Sequence, residues 1–377
     1  MDIRARASAV FASVLDYIFD TLTRELMMNM PPDLTYKFDQ DDDQGLDFMN
    51  ESNDDYVTVI YNDEYHRFEE VIDTIRNVLE YERSPAKGLT TLIDRNGRCI
   101  VKCSGYQACQ EIKKNAERRS SRRGGRALKI QIIHSHVVAH QNFAEKLISW
   151  LLSTMEYSSS FRALLGSLLL EYPGAPTGSS GKITRLDNFL RNDIILWKAA
   201  RSSIHHFLIQ CMLLSNEAIR RSFAAIYTKN YGQMMKEFIS DDHEHSFSVT
   251  SLSVQVFTVQ TLAHFLIAKE NVLANLLRTF MSEFERRRND RGKLEIQRSD
   301  QTFRRTLYIL FDTKYLITTS PGDEVCKAGW SDELKKGFLH GMSNLLDIFS
   351  WMQGMDLQLR QTSHHIDHEF EWEPYFR

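Results

Sequence analysis

The chain has 377 residues, 42% hydrophobic and 25% charged, enough to bury a sizeable core and form two or more compact units. Its net charge of −4 gives no general pull toward nucleic acid or membrane, and apolar runs such as Leu164 to Leu170 are too short to span a bilayer. Five cysteines without a paired CxxC frame, three of them close together at Cys99, Cys103 and Cys109, predict reduced, partly buried thiols in an intracellular protein.

Asp2 to Met30 reads as one amphipathic helix, with Val10, Val14, Leu15, Ile18, Leu22 and Leu26 on one face and Pro31-Pro32 as its stop. It lacks the continuous apolar core of a secretion signal. Asp39 to Asp55 is acidic and poor in large apolar groups, so residues 31–54 read as a linker. Tyr56 to Tyr61 is β-branched and aromatic, with Val57, Val59 and Tyr61 alternating with Thr58 and Ile60, the pattern of a strand. From Phe68 the period changes. Val71, Ile72, Ile75, Val78 and Leu79 recur at three- and four-residue intervals and make one face of a helix. Between the two lies Asn62-Asp63-Glu64. Short polar side chains at such a turn ordinarily cap the following helix. The same geometry can grip a small charged group, and the residues alone leave both readings open.

Gly88 to Leu92 then reads as a short amphipathic piece, Asp94 to Gly97 as a turn, and Arg98 to Lys102 as a second strand. Ser104 to Asn115 follows as a helix, Arg118 to Arg126 as a basic loop, and Leu128 to Ile133 as a third strand. No aromatic residues interleave with the basic run, which argues against a nucleic-acid site.

The order strand, helix, helix, strand, helix, strand, with Asn62-Asp63-Glu64 at its first turn, resembles the bacterial N-end-rule adaptor ClpS. It is more similar still to the ClpS-like domain inside the eukaryotic N-recognin (UBR-family) ubiquitin ligases. Aligned without gaps from Asn62 to Gly97, the resemblance implies that Asn62 and Asp63 bind a peptide's terminal amine and backbone. Asp94 falls where ClpS has its pocket histidine. Phe68, Val71 and Ile93 fall on apolar pocket positions, Thr90 where the bacterial proteins usually carry methionine, and Leu128 near the last wall position.

The implied chemistry is sound. A free α-amine is cationic or nearly so at neutral pH, and its N–H donors need acceptors once water is displaced. Asp63 and Asp94 would supply them. A hydrogen bond to a charged group contributes about 1.5–3 kcal/mol, and burying a Leu or Phe side chain contributes about the same. Neither alone overcomes the entropy of association, so a site using both selects an unblocked amine and a bulky apolar first side chain together. Thr90, smaller than methionine, is expected to widen the pocket for Trp or Tyr.

The resemblance extends beyond this region. His134 to Phe143 with Leu147 to Leu151, Phe311 to Thr318, Trp351 to Asp356, Arg360-Gln361, His365-Ile366 and Glu371 to Glu373 are all similar to N-recognin segments that ClpS lacks. Ala139 to Leu152, Phe161 to Leu170, Ile183 to Asn216, Glu217 to Phe238, Ser251 to Glu285 and Asp332 to Gln353 show the three-four spacing of partly buried helices. Pro173 to Gly181 reads as a loop, and the Arg286 to Arg291 run as a solvated helix end.

Histidine clusters invite a metal reading. His205 and His206 are adjacent and point to different helix faces, Asp241 to His245 reads as a solvated loop, and His364 to His368 as packing or an interface. No nucleophile partner for His134, His136 or His140 is identifiable in the sequence, and HExxH, GxSxG and phosphate-binding Gly loops are absent from it, which argues against a hydrolase.

The expected fold is α+β. A helical segment (1–30) and an acidic linker (31–54) lead to a small ClpS-like α/β domain (55–135) and a mainly α-helical scaffold (136–377). The resemblance implies substrate recognition within an E3 ligase, with N-degron proteins, an E2 enzyme and ubiquitin as partners and with a cytoplasmic, secondarily nuclear, location. N-recognins hold zinc in a UBR box and a RING. Neither Cys/His set occurs in this chain, so no metal or cofactor is expected here and E2 recruitment falls to other regions. The chain is expected to be an internal piece of a longer ligase, or a reading frame that lost both ends. The competing reading is a non-catalytic adaptor or interaction scaffold.

Overall fold

A computed structural model of the chain describes residues 3–23, 56–63, 65–121, 125–172, 183–241, 248–285, 301–319 and 331–353. The expected acidic linker, the Pro173 to Gly181 loop, the Arg286 to Arg291 run, most of the Asp241 to His245 cluster and the residues after 353 lie outside these. The chain divides into two compact units.

The first unit contains the described residues of 1–174 and 195–211. Its centre is a three-stranded antiparallel sheet of order β2-β1-β3, built from β1 (Tyr56–Tyr61), β2 (Arg98–Ser104) and β3 (Ile130–His134). Val57 to Tyr61 are all buried, which fits β1's central place, and a register shift at Thr58/Val59 bends it. Against the sheet pack α2 (Phe68–Leu79), α3 (Arg83–Asn96) and α4 (Tyr106–Ser120). Ile60, Val71, Ile72, Ile75, Ile93, Val101 and Leu128 meet in one core.

Helix α3 is longer than its sequence suggests. The expected short piece and the expected turn at Asp94 are one helix, whose buried face is Ala86, Thr90 and Ile93. Gly97, at φ +81°, is its stop, donating its N–H to the Ile93 carbonyl at 2.8 Å. Helix α4 runs through Ser120, so Arg118 and Arg119 belong to its last turn, where cations oppose the helix dipole, and not to a loop.

The first helix, α1 (Ile3–Thr23), buries Phe11, Leu15, Ile18 and Leu22. Val10, expected on that face, is half exposed, because the strict three-four spacing starts at Phe11. Helix α1 packs on α5 (Ser135–Tyr157) and α6 (Ser159–Leu170), with Phe11 edge-on to Trp150 and Phe161. His140 is structural. Its Nδ1 lies 2.6 Å from the Tyr17 hydroxyl.

Ile183 to Asn216 is not one helix. A capping box, with Thr184 Oγ1 accepting from the Asp187 N–H and Asp187 Oδ2 from the Thr184 N–H, opens α7 (Arg185–Arg191). Trp197 is extended, and α8 (Lys198–Leu208) starts after it, burying His205 and exposing His206. The three-four spacing persists across the break because the flanking segments are all partly buried.

The second unit contains the described residues of 175–194, 212–241 and 248–353. It is helical, with α9 (Glu217–Asp241), α10 (Thr250–Phe257), α11 (Gln260–Lys269), α12 (Val272–Glu285), α13 (Gln301–Thr306), α14 (Tyr308–Thr318) and α15 (Asp332–Gln353). Ser251 to Glu285, expected as one helix, is three. Thr258 and Val259 separate the first two, and Asn271, at φ +50°, separates α11 from α12. Among the described residues no single helix is long and apolar enough to cross a membrane.

Helix α15 approaches its neighbours through two glycines. A Cβ on Gly337 would overlap the Ile267 carbonyl, and one on Gly341 would lie 2.5 Å from Leu273 Cδ1. Alanine is the better helix former by up to about 1 kcal/mol. The Ile267 carbonyl belongs to helix backbone and cannot yield, so the overlap decides the sign. Gly337→Ala is expected to destabilise this unit by about 1–3 kcal/mol, read as a lower urea midpoint.

Candidate functional site

The end of β1 and the end of α3 are drawn together by backbone pairing. Tyr61 pairs with Arg98, and the Asn62 N–H donates to the Gly97 carbonyl at 2.8 Å. Asn62 and Asp63 thereby face the last turn of α3, which carries Ile93 and Asp94. Between them opens a cavity of about 240 Å³. This is below the about 300–1,000 Å³ of sites for drug-sized ligands and suits a single residue.

All eight residues singled out in the sequence line this one cavity: Asn62, Asp63 and Asp94 as its polar groups, and Phe68, Val71, Thr90, Ile93 and Leu128 as its walls. Val71, Thr90, Ile93 and Leu128 are nearly inaccessible, whereas Phe68 is 40% exposed and stands as a partly open flank. The Thr90 hydroxyl donates to the Ala86 carbonyl at 2.9 Å. Its donor is thus satisfied within α3.

Asp63 does not cap the helix, whose N-cap position is Arg67; it closes the turn that leads into it. Its Oδ1 accepts from the N–H groups of Tyr65 (3.0 Å) and His66 (2.9 Å), while Oδ2 lies 2.7 Å from His66 Nδ1. A carboxylate can only accept, so His66 Nδ1 carries the proton of that bond. Both side chains are about nine-tenths buried. Of the roughly four lone-pair sites on a carboxylate, these bonds take three, two on Oδ1 and one on Oδ2. The Glu70 carboxylate closes the same turn by accepting the Arg67 N–H at 3.0 Å, which leaves Asp63 held from both sides of the turn.

Three lining residues escape the sequence reading: Tyr61, His66 and Lys198. The Asp63-x-x-His66 spacing was a legible hint of a side-chain hydrogen bond across the turn. Tyr61, the last strand residue, had only its alternation to show which way it faced, and burial pushes its phenol up against the opposing effect of Arg98. Lys198 comes from α8, distant in sequence, and its Nζ donates to the Asp94 carbonyl at 3.0 Å. No local pattern could have placed it.

Behind the cavity, the Arg98 guanidinium lies 3.2 Å over the Trp197 ring and donates to Gln141 Oε1 at 2.9 Å. Trp197 Nε1 donates to Glu145 Oε1 at 3.0 Å. Burial pulls Arg98 down from the ordinary guanidinium range, opposed by Tyr61 and Glu145, and it stays charged. Burial likewise pushes Glu145 up, opposed by Arg98 and the Trp197 hydrogen bond. Among the described residues no group of three or more His, Cys, Asp or Glu side chains could hold a metal ion.

Comparison with known proteins matches residues 51–131 to the family of the ATP-dependent Clp protease adaptor protein ClpS. Residues 174–374, more than half of the chain, match the UBR1/2/3-like ARM repeat domain. The chain belongs to the UBR1/2/3-like family. Human E3 ubiquitin-protein ligase UBR2 is 36% identical over 379 residues, which cover all of this chain and 20% of the relative. Mouse UBR1 is 33% identical over 374 residues, covering 99% of the chain and 20% of the relative, and the fruit-fly (Drosophila melanogaster) UBR1 is 34% identical over 330 residues, covering 84% and 17%. The chain thus spans about a fifth of the length of these UBR relatives. The α+β expectation, a ClpS-like domain followed by a helical region, agrees with both family matches and with the fold.

Proposed function

We propose that this chain is the substrate-reading and scaffolding part of an N-recognin-type E3 ubiquitin ligase, and that its cavity binds proteins by an exposed, bulky apolar N-terminal residue. Asp63 and Asp94 take the α-amine, Asn62 orients the first peptide unit, and Phe68, Val71, Thr90, Ile93 and Leu128 enclose the side chain. Ubiquitin and an E2 enzyme are partners of the whole ligase, and the relatives that carry the ligase name support that part of the reading. The single observation that carries the site assignment is the convergence of carboxylates and apolar walls on one residue-sized cavity.

Fluorescence polarisation of the full chain against peptides starting with Phe, N-acetyl-Phe, Arg and Ala tests it. Free Phe is expected to bind at least about tenfold tighter than N-acetyl-Phe, the loss of one charge-assisted hydrogen bond. Arg and Ala are expected to bind weakly, and Trp and Tyr nearly as well as Phe if Thr90 widens the pocket. Equal binding of free and acetylated Phe would reduce the ClpS-like part to a scaffold.

A further inference from the structure

The cavity is not closed by residues 51–131 alone. Its remaining wall is Lys198, the first residue of α8, and three contacts fix that residue where it is. The left-handed Gly97 lets the start of α8 lie directly on it, since a Cβ there would sit 2.5 Å from the Lys198 nitrogen and 2.6 Å from its Cβ. The preceding Trp197 is clamped between the Arg98 guanidinium and the Glu145 carboxylate. The Lys198 ammonium itself is tied to the Asp94 carbonyl. A half-buried cation therefore stands on the rim beside Asp94, the residue proposed to hold the ligand's amine.

We propose that Lys198 sets the charge preference at the ligand's second residue. The inference rests on the N-terminus-binding reading above. With the amine at Asp63 and Asp94 and the first side chain inside the cavity, the second residue must leave across the rim. There the ammonium attracts an acidic side chain and repels a basic one. A partly exposed ion pair of this kind changes affinity by about two- to fivefold, and the contrast between attraction and repulsion is about fivefold or more. Salt weakens both.

The test measures the full chain against free peptides Phe-Asp, Phe-Ala and Phe-Lys with identical tails. The wild-type chain is expected to bind Phe-Asp about fivefold tighter than Phe-Lys, with the ratio shrinking as salt rises. Lys198→Arg keeps the ratio, Lys198→Ala brings it close to one, and Lys198→Glu inverts it. A single ratio shared by wild type, Lys198→Ala and Lys198→Glu, with Phe-Ala still discriminated from its acetylated form, overturns the role of Lys198 alone. Loss of that discrimination in the wild type overturns the underlying reading and this inference with it.

Discussion

Asp63→Asn is expected to weaken binding of a free Phe-initiated peptide by about ten- to a hundredfold while leaving the thermal midpoint nearly unchanged. Asn keeps the oxygen that accepts the Tyr65 and His66 N–H groups, so the turn into α2 persists. His66 can accept from the new amide by changing tautomer, which preserves the second contact. What disappears is the negative charge. A charge-assisted bond of about 1.5–3 kcal/mol becomes at best a neutral one of about 0.5–1.5 kcal/mol, and an amide N–H facing an ammonium removes even that. Asp63→Ala should lose the same affinity and also the hydrogen bonds that close the turn, about 0.5–1.5 kcal/mol each, lowering the midpoint by a few degrees. The pair of variants separates the two tasks of this side chain. Unchanged affinity in Asp63→Asn would remove the amine assignment.

The parts of this molecule that could be read from the sequence are those in which a local pattern has one structural outcome. Val57 to Tyr61 and the Val71, Ile72, Ile75 face fix a strand and a helix, and the turn between them fixes where Asn62 and Asp63 stand. Asp94 was found through the resemblance, though not as the last turn of a helix, because helix α3 shows only a three-residue buried face and ends on a glycine that also suits a turn. The breaks within Ile183 to Asn216 and Ser251 to Glu285 hide for another reason. Buried segments on either side of a break keep the apolar spacing of one helix; Thr184-x-x-Asp187 marks the start of α7 and not the break after it, and of these breaks only the one at Asn271 falls on a residue type suited to it. Lys198 is the limiting case. Its place depends on Arg98 stacking on Trp197 and on the missing Cβ of Gly97, relations between residues far apart in the chain.

The second unit should lose stability as pH rises from about 4 to 7, and Asp312→Asn should remove most of that slope. Asp312 on α14 is fully enclosed, and burial pushes its carboxyl up to about 7, with the Tyr231 and Ser253 hydroxyls pulling the other way. Tyr231, on α9, donates to Oδ2 at 2.7 Å, and Ser253, on α10, also bonds Tyr227, whose hydroxyl reaches the Val249 carbonyl at 3.1 Å. Burial, reinforced by the Asp312 charge, pushes both phenols well up, so they remain protonated donors. The folded form thus keeps a proton that the unfolded chain releases near pH 4. Stability from this group is complete below pH 4 and falls by about 1.4 kcal/mol per pH unit through the window, about 4 kcal/mol in all. Above about pH 7 it is flat. The neutral amide of Asn has no proton to lose, so Asp312→Asn is expected to lack most of the slope, its stability relative to the wild type rising by about 3 kcal/mol between pH 5 and pH 8. Urea midpoints at the two pH values decide this. Equal slopes for both proteins would mean that Asp312 is ionised in the folded unit, and that the three hydroxyl-bearing side chains around it compensate the buried charge.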